Sequence, residues 1–288
     1  MEIRVILAPV SHADSVAANV EAAFAVGKAF GSHVAGLHVR ADPRAAIPYV
    51  GEGMTADIIQ ELCNAAERDG LEKCATARAT FDRIRRAASA PLVERPHPAN
   101  EATAGWEEAI GDEAQVIASR SRIADLSVVR RPGDADKEGG AGVLEGILFR
   151  SGRAALVVPA SGAFSFPKSV AIAWNGSAEA ARAVAFAMPF IAQAEHAFVM
   201  TAGEPSEDLP DAAGLSNYMS WHGIAIEPVR TRTGHESFGA LLLGEAKNLG
   251  AELIVMGAYT HSRWREMILG GVTRYMLTNS DLPLLLVH

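Results

Sequence analysis

Short apolar runs alternate with longer segments along the whole chain. The runs 5–8 and 33–39 flank the alanine-rich segment 17–30, in which apolar residues recur at helical spacing. Unbroken apolar runs of this length are typical of strands that are buried on both faces of a parallel sheet. Because such runs alternate with segments long enough to form helices, the pattern predicts an α/β fold with parallel strands covered by helices.

The second half of the chain repeats the order of the first half. The corresponding runs are 5–8 and 170–174, 17–30 and 178–191, 33–39 and 196–201, 124–129 and 251–256, and 155–158 and 284–287. Each half ends on a strand-like run, so the sequence predicts two tandem domains of the doubly wound type.

The boundary between the two domains is predicted at the Gly- and Pro-punctuated segment 161–167. The first domain then covers residues 1–160 and the second covers residues 168–288. The first domain is longer because of a segment between Pro43 and Pro91, in which residues 56–88 are predicted to form a long helix.

The last strand of each half would lie at the edge of its sheet, where unpaired backbone groups can bind another edge strand. We therefore expect 155–158 to pack against 284–287, which would make one chain a pseudo-symmetric pair of domains. Further assembly into a homodimer is compatible with this arrangement.

Composition and charge narrow the classes of function. The 288 residues are 49% apolar and 21% charged, which is enough to bury two cores. A net charge of −8 argues against nucleic acid as a partner. The chain has no apolar run of membrane-spanning length and no leader-like N-terminus, so we expect a cytoplasmic protein that does not enter a membrane.

The metal-binding and redox residue types are scattered. Cys63 and Cys74 match neither a metal-binding pair nor a redox motif, and are interpreted as reduced packing residues. The nine histidines form no cluster at ligand spacing, so no metal site is predicted.

The segment 252–277 carries the most specific signal for a ligand. A buried strand is followed by Gly257, then by the pair Gly270 and Gly271 at the start of a predicted helix. Such a turn points backbone N–H groups beyond the end of the strand, and phosphate is the usual occupant of this position.

The spacing of these residues resembles the nucleotide loop of the universal stress protein family. Gly257 and Thr260, followed by nine residues and then Gly270 and Gly271, resemble that family's G-x-x-G-x9-G-[S/T] motif. The strand end with Asn175, Gly176 and Ser177 resembles the family's Val-Asp-Gly-Ser signature. The resemblance covers the second half well and the first half in outline.

The resemblance implies two tandem Rossmann-like domains of the adenine nucleotide alpha hydrolase-like type. Each would be a five-stranded parallel sheet with helices on both faces. It also implies an adenine nucleotide, ATP or AMP, in the second domain, with Mg²⁺ only as the companion of that nucleotide. The site residues that it implies are Asn175, Gly257, Thr260, Gly270, Gly271, Val272 and Thr273. The neighbouring cations His261 and Arg263 are added to this predicted site for their charge.

Three of these positions depart from the family's pattern. Asn175 replaces an aspartate near the adenine, which keeps hydrogen bonding but removes the charge. Thr260 replaces a glycine, and a β-branched residue at positive φ would cost about 1–3 kcal/mol. Gly271 replaces a hydroxyl residue and leaves only its backbone N–H as a donor.

Several cations surround the loop, and two interpretations of them stay open. His261, Arg263, Arg265 and Arg274 are the residues concerned. They would suit a rim that faces phosphate, or they solvate the outer face of a short helix.

The first half lacks the loop motif and has Ser11 and His12 where the family has aspartate and glycine. Trp174 adjoins the predicted adenine pocket, but packing explains its bulk better than base stacking. Trp221 precedes a glycine stop and is interpreted as a helix end with its packing partner.

Three functions are compatible with these observations. The favoured one is a cytoplasmic stress-response protein that binds an adenine nucleotide and acts through conformation or an unidentified protein partner. The second is a slow ATP-hydrolysing enzyme of the same fold, although no catalytic constellation is recognised. The third is an interaction module whose nucleotide site has decayed, as Thr260 would suggest.

Overall fold

A computed structural model of the chain describes residues 2–10, 16–46, 55–95, 100–132, 140–159, 164–202, 208–231, 237–258 and 271–288. The strands are β1 (Val5–Pro9), β2 (His33–Arg40), β3 (Thr103–Ile110), β4 (Leu126–Arg130), β5 (Ala154–Val158), β6 (Ser169–Ala173), β7 (His196–Ala202), β8 (Glu227–Thr231), β9 (Leu253–Gly257) and β10 (Leu284–Val287). The helices are α1 (Val16–Phe30), α2 (Ala56–Ala87), α3 (Glu113–Ser121), α4 (Gly140–Arg150), α5 (Ala178–Gln193), α6 (Ala212–Trp221), α7 (Phe238–Asn248) and α8 (Gly271–Asn279).

All these strands belong to one 10-stranded sheet with the order β3-β2-β1-β4-β5-β10-β9-β6-β7-β8. Neighbouring strands are parallel except for β5 and β10, which pair antiparallel with Leu285 opposite Leu156. The predicted pairing of the two terminal strands is therefore confirmed. The α/β class with parallel strands and covering helices is confirmed as well.

Corresponding strands follow in the same order outward from β5 in the first half of the sheet and from β10 in the second half. In each half the strand order reverses between the first and fourth strands, β1 with β4 and β6 with β9. Such reversals leave a crevice at the carboxyl ends of the strands. Because β5 and β10 run antiparallel, the carboxyl ends of the two halves lie at opposite edges of the sheet.

Side chains alternate between the two faces of the sheet and build two cores. On β10, Leu285 joins the core beneath α1, α2, α5 and α6, whereas Leu286 joins the core beneath α3, α4, α7 and α8. Both cores contain residues from both halves of the chain, so burial of apolar area joins the halves on each face.

Three phenylalanines connect the halves on the first face. The Phe166 ring stacks on Phe190 of α5 with centroids 5.5 Å apart, and Phe30 of α1 meets Phe190 edge-on at 5.4 Å. Phe190 is fully buried. The aromatic contacts therefore tie α1 to α5 across the middle of the molecule.

The long helix predicted over 56–88 is observed as α2, which is capped by the Thr55 hydroxyl. Its buried residues, Cys74, Ala77, Phe81 and Ile84, all lie in its C-terminal half. The N-terminal half continues past the carboxyl end of β2. None of the helices in the described ranges combines the length and hydropathy needed to cross a membrane.

Candidate functional site

The turn between β6 and α5 forms one side of the predicted nucleotide site. Gly176 has φ of +75°, and a Cβ on it would lie 2.8 Å from the Leu209 Cβ. The Ser177 hydroxyl caps α5 by accepting a hydrogen bond from the Ala180 N–H at 3.1 Å. Only glycine fits this turn comfortably, because both the positive φ and the close approach exclude a side chain.

The side chain of Asn175 lies exposed at this turn. Its Oδ1 accepts a hydrogen bond from the Ser177 N–H at 3.1 Å, which fixes the amide against its own loop. The amide nitrogen remains a donor that a ligand can use.

Trp174 lies beneath the turn and is packed. It is only 8% exposed, and its indole N–H donates to the Pro210 carbonyl at 2.8 Å. The interpretation of this residue as a packing residue is confirmed. Its hydrogen bond fastens the loop that follows β7 to the end of β6.

Gly257 ends β9 and contacts the first turn of α5. A Cβ on this residue would lie 2.7 Å from the Ala180 nitrogen and 2.7 Å from the Glu179 carbonyl carbon. Backbone atoms cannot move aside as a flexible side chain can. The strand therefore needs glycine here to pack against α5, whether or not a ligand is present.

The first turn of α8 supplies the second glycine position. At Gly271 a Cβ would meet no atom within 4 Å in the described part of the chain. Val272 is partly buried, and Thr273 is 3% exposed, so a ligand at the helix end would meet the backbone of Thr273 rather than its hydroxyl. The first N–H groups of a helix have no partner within the helix and carry its positive dipole end.

These elements meet at one edge of the sheet. β6 and β9 are neighbours, with Ala173 beside Met256, so Asn175 and Gly257 follow adjacent strand ends. α8 leads into β10, which runs parallel to β9, and therefore begins at that same edge.

Four predicted site residues, Thr260, His261, Arg263 and Gly270, lie outside the described residues, as do Arg265 and Trp264.

The first half of the chain also reaches this edge, because β5 begins where β10 ends. His288 donates a hydrogen bond from Nδ1 to the Ala258 carbonyl at 3.0 Å, and its ring contacts Phe149 with centroids 4.7 Å apart. Arg153 donates to the Arg122 carbonyl at 3.3 Å nearby. Sequence reasoning missed these groups, because only the antiparallel junction brings them to the edge of the other half.

The corresponding edge of the first half is built differently. By position in the strand, Arg130 of β4 stands where β9 has Gly257, and the Arg131 N–H donates to Val158 at 2.8 Å as the Ala258 N–H does to Val287. Burial lowers the pKa of the Arg131 guanidinium, and the Asp281 carboxylate opposes that shift. The carboxyl end of β4 thus carries two arginines where the carboxyl end of β9 has Gly257 and Ala258. Ser11 and His12 lie outside the described residues.

The sequence predictions for the cysteines and Trp221 have different outcomes. Both cysteines are free, and Cys74 lies on the buried face of α2, as expected of a packing residue. Gly223, with φ of +74°, ends α6 as predicted. Trp221 itself is 84% exposed, so its predicted role as a packing partner is wrong. The C-cap does not require it, since the Ile224 N–H closes the turn on the Met219 carbonyl at 3.1 Å.

Comparisons with known proteins agree with this architecture. Residues 167–288 match the sequence profile of the universal stress protein family. A search of curated protein sequences gave no match.

Solved structures resemble the whole chain in fold. A universal stress protein from Archaeoglobus fulgidus DSM 4304 superposes with a TM-score of 0.64 at 17% identity, covering 98% of this chain and 95% of the other. A candidate universal stress protein from Pseudomonas aeruginosa UCBPP-PA14 superposes with a TM-score of 0.57 at 13% identity, covering 99% and 93%. At such identities the likeness shows the fold.

Proposed function

We propose that this chain, whose residues 167–288 belong to the universal stress protein family, binds an adenine nucleotide at the carboxyl edge of its second half. ATP and AMP are the candidate ligands, with Mg²⁺ only as their companion. The observation that carries the proposal is the adjacency of the β6 and β9 ends at the point where strand order reverses, with a helix N-terminus following each.

The residues have distinct roles in this proposal. The backbone N–H groups of Gly271, Val272 and Thr273 would face the phosphates, and the Asn175 amide would bind the base. The loop residues Thr260, His261, Arg263 and Gly270 would complete the phosphate side. Gly257 contributes by letting β9 approach α5 closely.

The proposed output is a change of conformation or of partner binding in a stress response. Binding of a nucleotide to one arrangement of the loop would shift the population toward that arrangement. Hydrolysis is not needed for this output. Slow ATP hydrolysis is the alternative, and it would need a positioned water and a metal held by acidic or hydroxyl ligands.

A second candidate function is an interaction module that binds no nucleotide. The observation in its favour is the contact between Gly257 and α5, because this contact alone accounts for a glycine in the motif. Titration of the purified protein with ATP and with AMP separates the two candidates.

The sharpest test introduces a charge at Gly271, which has room for a side chain. Gly271→Asp places a carboxylate beside the proposed phosphate position, whereas Gly271→Asn has the same shape without the charge. We expect the Asp variant to bind ATP at least about tenfold more weakly than the Asn variant, through like-charge repulsion. The measurement is isothermal titration calorimetry at two salt concentrations.

Two results would contradict the proposal. One is that the wild-type protein binds neither ATP nor AMP. The other is that the Asp and Asn variants bind ATP equally well. Circular dichroism should show the same helix content in both variants, since an acidic residue is favourable in the first turn of a helix.

A further inference from the structure

A cavity of about 730 Å³ lies in the first half of the chain, at the carboxyl ends of β2 and β3. Its walls come from the end of β2, the turn between β3 and α3, and the N-terminal half of α2. Its volume lies in the range of organic ligand sites. No residue of β1 or β4 lines it, and it lies at the sheet edge opposite the proposed nucleotide site.

One face of α2 forms a wall of the cavity, and it combines two small residues with two charged ones. Ala66, Asp69, Gly70 and Lys73 recur at helical spacing and face the cavity. A Cβ on Gly70 would have Arg40 Cδ as its nearest neighbour, at 3.8 Å. Asp69 and Lys73 form an ion pair at 2.6 Å, so their charges compensate one another.

Arg40, at the end of β2, places a positive charge on the opposite wall. Its Nε is buried without a hydrogen-bond partner, and no carboxylate of the described residues forms an ion pair with it. The Glu108 carboxylate interacts with Arg40 electrostatically without forming an ion pair, and its Oε1 accepts the Trp106 indole N–H at 2.9 Å. A guanidinium in this position favours an anionic group.

Glu113, at the start of α3, places a negative charge on the same cavity. Its Oε1 is buried and has no hydrogen-bond partner. The neighbouring Asp112 is already used, since its Oδ1 caps α3 by accepting from the Gln115 N–H at 2.8 Å.

Arg40 and Glu113 come from adjacent strand ends, which the hydrogen bond from the Gly111 N–H to the Arg40 carbonyl joins at 2.9 Å. Nevertheless the two side chains form no ion pair with each other in the described structure. Buried polar groups normally find partners, and leaving them unpaired costs free energy. The cavity thus presents one guanidinium and one carboxylate, each with a buried polar atom that has no hydrogen-bond partner in the described part of the chain.

We propose that this cavity binds a zwitterionic small molecule that carries a carboxylate and an ammonium group. The carboxylate pairs with Arg40 and the ammonium group pairs with Glu113. Free amino acids and short peptides have this chemistry and fit the volume. Because α2 supplies a wall, the long segment that distinguishes the first half from the second has a ligand-binding role.

The test uses the full-length protein and a panel of the protein amino acids and their dipeptides. Ligand-observed NMR identifies binders, and calorimetry measures the affinity of the best one. The C-terminal amide of this best binder lacks the carboxylate charge, and its N-acetyl derivative lacks the ammonium charge. We expect each derivative to bind at least about tenfold more weakly than the parent compound.

Variants locate the binding in the cavity. Arg40→Gln should lower the affinity for the parent compound about tenfold and leave the affinity for its amide unchanged. Glu113→Gln should lower the affinity for the parent compound about tenfold and leave the affinity for its N-acetyl derivative unchanged. Arg83→Gln is the matched control, because Arg83 is an exposed arginine of α2 that does not line the cavity. Gly70→Leu should abolish binding by filling the space.

Several results would overturn the proposal. One is that no compound of the panel binds, and another is that the derivatives bind as well as the parent compound. A third is that Arg40→Gln binds the parent compound as well as Arg83→Gln does. If a variant fails to fold, the charge-deleted derivatives still decide the question. ATP titration of the same variants keeps this outcome separate from that of the nucleotide proposal, since the two sites share no residue.

Discussion

Gly257 can be tested for the packing role that its position indicates. An added methyl group at this residue would overlap backbone atoms of α5 at 2.7 Å, and neither the strand end nor the helix can yield without losing contacts. We expect Gly257→Ala to lower the free energy of unfolding by about 2–4 kcal/mol, as overpacking against rigid atoms does. Urea denaturation measures the change.

Gly271→Ala is the control for this prediction. The site is open, and alanine is the better helix former, so its effect should stay within about 0.5 kcal/mol of zero or be stabilising. Equal destabilisation by both substitutions would show that Gly257 has no special packing role.

Glu108 should give a pH-dependent contribution to stability. The hydrogen bond from the Trp106 indole holds the pKa of this carboxyl below its usual value, although burial acts in the opposite direction. A lowered folded-state pKa stabilises above the unfolded pKa of about 4.3, and this stabilisation is lost as pH falls through the folded value. Glu108→Gln should therefore cost a few tenths to about 1 kcal/mol at neutral pH, since the group is largely exposed.

The cost of Glu108→Gln should shrink toward zero as the pH falls through the lowered folded-state pKa of this carboxyl, because it is then protonated in both states. Denaturation curves at neutral and acidic pH compare this variant with Glu101→Gln, which replaces an exposed carboxylate at the start of the same region. A difference between wild type and Glu108→Gln that grows on acidification would be the wrong sign for this explanation.

The residues show where sequence reasoning succeeds and where it stops. The pattern identified Gly257 as special but attributed it to a ligand, because contact with α5 is a tertiary feature that spacing does not reveal. Trp221 was assigned a packing role from its place beside a glycine stop, yet the cap is closed by backbone groups alone. Arg40 and Glu113 carried no sequence signal, since their common cavity arises from distant segments.

Helix α7 contains two glycines with opposite surroundings. A Cβ on Gly239 would lie 2.7 Å from the Tyr275 Cβ of α8, whereas a Cβ on Gly244 would meet no described atom within 4 Å. We expect Gly239→Ala to destabilise the protein by about 1–3 kcal/mol and Gly244→Ala to stabilise it by up to about 1 kcal/mol. Thermal denaturation of the two single variants measures both signs.

The two substitutions in α7 control for each other, because they add the same methyl group to the same helix. If both stabilise, then α7 and α8 are packed less closely than described. That result would also weaken the placement of the α8 N-terminus at the proposed nucleotide site.

Among the elements, the sequence identified buried strands better than edge strands. The long helix over 56–88 and the terminal strands stood out because their periodicity or apolar runs are unbroken. β3 and β8 were not identified individually. They end the sheet, contain Glu107, Glu227 and Pro228, and are largely or partly exposed, so their burial pattern is weak.

At the scale of the molecule, the antiparallel β5–β10 pair decides what each binding edge contains. It brings Phe149 and Arg153 of the first half to the edge with the second half's proposed nucleotide site. It also brings Asp281 of the second half beside Arg131 of the first. The repeat in the sequence predicted that the halves pair, but the residues contributed across the junction follow only from the register.

Phe190 tests whether the two halves unfold as one unit. Its ring is fully buried between Phe166 and Phe30, and both sheet faces have cores that cross the junction. We expect the wild-type protein to unfold in one calorimetric transition. Phe190→Ala should lower its free energy of unfolding by about 3–5 kcal/mol through loss of buried area and a residual cavity.

Hydrogen exchange localises the effect of Phe190→Ala. Because Phe30 loses one of its two aromatic partners, the amides of α1 in the first half should exchange faster, together with those of α5 in the second half. Phe238→Ala, which removes a half-exposed ring from α7, serves as the control and should leave α1 unchanged. Two separate transitions in the wild-type protein, or faster exchange confined to the second half, would mean that the junction does not couple the halves energetically.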